Sequence, residues 1–174
     1  MRADLAMWLI ALSAFGCRID LDHHQYNDGG QTRLCTPQPN TASCAAAVGH
    51  AELSYVQTNI LAPKCAAFSE CHGIDKTQDN LNLSTAMTSY MGLVNAPSEL
   101  DTSRMLVVPG DVNASLLSAM IGAISPAEAV PALSALPNGK NGNVIGTMPY
   151  NNPTMCCEKI DAVSAWITAG APNN

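Results

Sequence analysis

Seven cysteines in a chain of 174 residues constrain this protein more than any other feature of its sequence. They stand at Cys17, Cys35, Cys44, Cys65, Cys71, Cys156 and Cys157. Their chemistry depends on the compartment, because disulfides persist outside the cytoplasm and are rare within it. The N-terminus bears on that question. Met1-Arg2 makes a positive start, and Leu5 to Phe15 is an apolar run. Its length suits a signal-peptide core and is too short to span a bilayer as a helix.

The run ends in A-F-G-C, with Gly16 before Cys17, which resembles the bacterial lipobox. Ala14 stands where that motif usually has Leu, and Asp4 dilutes the basic start. The expectation is a signal peptide over 1–16, a retained anchor standing last, with lipidation at Cys17 or, as the alternative, an ordinary cleaved signal. Both place the mature protein outside the cytoplasm, in the periplasm or at the cell surface. A lipid on Cys17 would add membrane anchorage. Cys17 aside, an even set of six cysteines remains, and in an oxidising compartment such a set normally pairs. Any metal or haem reading must compete with that pairing.

Charged residues make up 13% and aromatics 5%, so small and neutral polar residues must cover most of the surface. A net charge of −6 leaves no basic stripe to neutralise phosphates and excludes nucleic acid as a partner. It is compatible with docking a basic protein.

Residues 17–50 lack apolar periodicity and are rich in turn formers, which predicts a disordered tether. Cys35 and Cys44 are expected to close a small loop within it, and His23-His24 to be exposed tether residues. A domain is expected over 51–174. Ser54 and Gln57 have capping-box spacing ahead of Ile60 and Leu61, predicting a helix that Pro63 stops. Further helices are predicted from Thr85 to about Leu93 and from Asp111 through Leu116, Leu117 and Met120. Residues 125–146 read as an extended loop. The last helix is the clearest: Asn152-Pro153 makes its start, and Cys156, Ile160, Val163 and Ile167 make one stripe, widened by Trp166. Gly170 supplies its left-handed stop. The fold class is all-α.

Chemistry concentrates in K-C-A-A-F-S-E-C-H-G, Lys64 to Gly73. A C-x-x-C-H motif attaches haem in c-type cytochromes: two thiols bond the porphyrin and the adjacent His binds iron. Several segments in order resemble the class I cytochrome c family, over roughly residues 54 to 171. They are a helix ending Ile60-Leu61, Cys71-His72-Gly73, L-x-L-S at Leu81 to Ser84, and V-V-P-G-D-x-x-x-S-L-L at Val107 to Leu117. G-x-M-P at Gly146 to Pro149 and the closing W-I-T-A-G-A follow. The resemblance implies a small helical domain with long loops, a single haem c, His72 as proximal ligand and Met148 as distal ligand. Pro149 would fix the methionine loop. It also implies one-electron exchange with other redox proteins of the cell envelope rather than enzymatic turnover.

The first cysteine departs from the pattern. Cys65 makes the spacing C-x5-C-H, and Phe68 stands three before Cys71. On a regular helix six residues turn about 600°, leaving Cys65 roughly 120° away from Cys71. Three readings stay open. The extra residues bulge and both thiols still bond haem; Cys71 alone forms a thioether; or Cys65 and Cys71 make a disulfide in a haem-free module. Cys156 and Cys157 are adjacent and cannot comfortably bond each other, so at least one should reach Cys65, Cys35 or Cys44. His50 is a fallback axial ligand, with a surface place near the first helix as the plainer expectation. No second Cys or His pair supports a zinc site, and no nucleophile–base motif or phosphate loop is present.

Overall fold

The computed structural model describes residues 26–28, 31–67, 71–75, 78–137, 147–150 and 155–174. The body is helical. Helices α1 (Ala42–Ala45) and α2 (Leu53–Val56) come first, and α2 continues into a wide π-helix, Gln57–Cys65. Then follow α3 (Ala86–Leu93), α4 (Leu116–Met120), a 3-10 turn at Pro126–Glu128, and α5 (Cys157–Thr168). Among the described residues, the strands are β1 (Tyr26–Asp28) and β2 (Gln31–Arg33), paired antiparallel with Tyr26 opposite Arg33.

The expected stripe on α5 is buried: Ile160, Val163, Trp166 and Ile167 are each at most 1% exposed. Opposite them lie Leu53 and Val56 of α2 and Ile60 and Leu61 of the π-helix, all buried. Leu93 from α3 and Val107 belong to the same core, with Leu83, Ile121 and Met155. Gly170, at φ +93°, ends α5 as expected, its amide donating to the Ile167 carbonyl (2.9 Å). The same Ile167 carbonyl accepts from Gly110 (2.8 Å), so the Pro109-Gly110 turn docks on the end of α5. The helix expected from Thr85 to about Leu93 is α3, and Thr85 caps it in a reciprocal capping box with Thr88.

Other local expectations are corrected. Ser54 and Gln57 form no capping box. The Leu53 and Ser54 amides instead donate to Oδ1 and the carbonyl of Asn174 (2.9 Å each), which leaves Gln57 free to turn inward. Pro63 lies inside the π-helix and does not stop it. A single missing N–H costs that segment one bond, and the Ala66 amide still closes on the Leu61 carbonyl five residues back (3.0 Å). Asp111 caps a turn one step before α4: its Oδ1 accepts from the Ala114 amide (2.9 Å), and the helix begins after Ser115. Asn152 and Pro153 lie outside the described residues, and Cys156 stands at the N-cap position of α5.

The expected tether is partly folded. Leu34 donates to the Gly122 carbonyl (3.1 Å), and Cys35, Cys44 and Ala47 are buried. Cys35 and Cys44 do not bond each other. Cys35 pairs with Cys157 and Cys44 with Cys156, which fixes residues 34–50 across the start of α5. The segment lacks apolar periodicity because covalent links, rather than a hydrophobic stripe, hold it down. Cys17 and His23-His24 lie outside the described residues. Among those described, no helix is long and apolar enough to cross a membrane.

Candidate functional site

The π-helix ends at Cys65, and the chain returns at Cys71-His72-Gly73. The His72 amide donates to the Cys65 carbonyl (3.1 Å), closing the return onto the helix end. On the far side, the Leu83 amide donates to the His72 carbonyl (2.7 Å). Cys65 and Cys71 therefore do not lie on one regular helix, and the 120° separation expected from that geometry does not apply. The two thiols are half-buried and neither takes part in the two disulfides; they do not bond each other.

Burial, and secondarily the neighbouring Cys71, push the Cys65 thiol up to about 12. It is protonated at any physiological pH. Burial likewise holds His72 below the ordinary imidazole value, against the pull of the Asp79 carboxylate and the Gln78 and Leu81 carbonyls. A neutral ring keeps one nitrogen lone pair, the form in which imidazole binds a metal. The Nδ1 atom of His72 is buried with no hydrogen-bond partner.

Met148 is tied to a different element. Its amide donates to the Met120 carbonyl at the end of α4 (2.6 Å), and its side chain is half-buried beside the buried Pro149. No hydrogen bond joins Met148 to His72 among the described residues. The structure thus brings Cys65, Cys71 and His72 together, and ties Met148 to the end of α4. His50 is engaged elsewhere: its ring stacks on Tyr55 (centroids 3.7 Å apart, 4° between planes) and its Nδ1 meets the Glu52 carboxylate. That is the surface position near the first helix. It borders a groove of about 250 Å³ between the end of α1 and α5, lined also by Val48, Glu158 and Asp161.

Small-metal coordination does not fit these donors. Among the described residues, one group of three potential ligands converges within 4.8 Å: Cys44, Cys156 and Glu158. Its two sulfurs are bonded to each other, and Glu158 accepts from the Gln38 amide at 3.0 and 3.2 Å. Cys65, Cys71 and His72 form no such convergent group, as a tetrahedral site requires. Haem attachment asks for the opposite arrangement, with thiols at separate vinyl groups and imidazole at the ring centre. Two thiols left out of the disulfides and a neutral histidine with an unpartnered nitrogen fit that group.

Sequence reasoning missed Gln57, buried at 6% exposure, whose Nε2 donates to the Leu83 carbonyl (2.9 Å). A lone amide among Val56, Ile60 and Leu61 was the available signal. No family model, curated protein or solved structure matches this chain.

Proposed function

We propose that the chain is a one-electron carrier: an exported, cytochrome c-like domain with one covalently attached haem c. The observation that carries this reading is the division of the cysteines. Four close two disulfides, while Cys65 and Cys71 lie outside both, beside a half-buried His72 whose ring is held below the ordinary imidazole value by burial. Cys65 and Cys71 would hold the haem through thioethers, and His72 and Met148 would ligate its iron. When bound, the haem supplies the iron that takes up and releases one electron. The protein's own part is to orient His72 through its two main-chain hydrogen bonds and to limit the access of water. His/Met ligation and burial both raise the potential of such a centre. Exchange with redox proteins of the cell envelope would need no substrate pocket and no enzymatic turnover.

Cys17 would carry the lipid that holds the domain at a membrane. Replacing it with Ser should move the protein to the soluble exported fraction. Retention through a high-salt wash would refute the anchor.

The second reading is a haem-free, disulfide-stabilised binding or structural module, and the C-x5-C-H spacing favours it. Expression with export in a host that attaches haem separates the two. The carrier predicts a reduced α-band and haem that survives denaturing electrophoresis. Cys71→Ser should abolish that retention, and Met148→Ala should admit exogenous ligands and lower the potential. Colourless protein whose mass lacks haem would defeat the carrier.

A further inference from the structure

We infer that Gln57 is a positioning residue, which fixes the main chain of His72 through Leu83. Gln57 opens the π-helix, and Cys65 ends it. Gln57 Nε2 donates to the Leu83 carbonyl (2.9 Å), Leu83 donates to the His72 carbonyl (2.7 Å), and His72 donates to the Cys65 carbonyl (3.1 Å). The bonds run in a ring, from one end of the wide helix through His72 to its other end.

The polarity of Gln57 has a definite orientation. A carbonyl only accepts, so the group facing the Leu83 oxygen must be the NH2, and Oε1 is left facing the interior. That oxygen is buried with no partner. An unpartnered buried acceptor is costly, and a Met or Leu of similar volume would satisfy a core site between Val56 and Ile60 better. The donor explains the residue. Without it the Leu83 peptide, 2% exposed, loses its tie to the helix, and the carbonyl of His72 loses a fixed partner. A π-helical turn widens the backbone where Gln57 begins, and such turns recur where a side chain must be re-aimed at a working site. Gln57's effect on iron presupposes the electron-carrier reading; its hold on His72 does not.

The test compares wild type with Gln57→Met, and with Gln57→Asn should the first fail to fold. In haem-free protein, amide hydrogen exchange at Leu83 and His72 should accelerate at least tenfold, with Ile160 to Ile167 unchanged. In haem-loaded protein, the low-spin electron paramagnetic resonance signal and the reduction potential should shift while covalent haem retention stays at the wild-type level. Unchanged exchange at Leu83 and His72 overturns the assignment. So does equal acceleration of every amide, which would make Gln57 an ordinary core residue. An unshifted signal and potential in loaded protein overturn it at the iron. A colourless wild type defeats the electron-carrier reading instead, and the exchange measurement alone then decides the role of Gln57.

Discussion

Cys65 sits where burial and a neighbouring thiol both oppose ionisation, and the consequence reaches beyond reactivity. Its pKa rises from 9.0 to about 12 on folding. The folded state therefore binds the proton more tightly than the unfolded state. That contribution is complete below pH 9.0 and is lost as pH climbs towards 12. The full difference is about 4 kcal/mol, and about 2 kcal/mol of it should be gone by pH 10.5. In haem-free protein, urea unfolding between pH 9 and 10.5 should show this loss in wild type, and a shallower one in Cys65→Ala. Parallel pH profiles would mean that Cys65 is not sealed. None of this was legible in C-x5-C-H. Cys65 ends the π-helix and Cys71 lies in a turn beyond it, so a spacing taken along one regular helix describes neither thiol.

At the scale of elements, legibility followed local chemistry. The α5 stripe and the span of α3 were readable because each depends on residues within a few turns of each other. The start of α2 was not, because its cap is Asn174, at the other end of the chain. Asp111 was placed one turn early for a related reason. Its carboxylate satisfies a turn, and Ser115 Oγ then donates to the Asp111 carbonyl (2.6 Å) before the helix begins. Trp166 joins these elements. It is fully buried, and its indole N–H donates to the Pro172 carbonyl (2.9 Å), so it holds the chain after α5 as well as the core. Trp166→Ala should cost about 3–5 kcal/mol. Denaturant unfolding would measure the loss, and a cost below 1 kcal/mol would contradict the packing of α5 on α2 described above.

The whole molecule is closed by two disulfides that join the same two regions. Cys35–Cys157 and Cys44–Cys156 span 122 and 112 residues, and both fasten residues 34–50 to the start of α5. Their contributions cannot be independent. The first to form closes a loop of more than a hundred residues, worth about 5 kcal/mol of unfolded-chain entropy. The second then closes a ring of only roughly a dozen residues, worth about 3 kcal/mol. Either disulfide can take either part. Removing one pair, as Cys44→Ser with Cys156→Ser, should therefore cost about 3 kcal/mol, and removing Cys35–Cys157 alone should cost about the same. Removing both should cost about 8 kcal/mol, more than the two single losses together and a large share of a domain's net stability. Urea unfolding of the two single-pair variants and the four-cysteine variant measures the three values. Strict additivity would show that the disulfides act on separate parts of the unfolded chain, against the shared anchorage of residues 34–50 on α5.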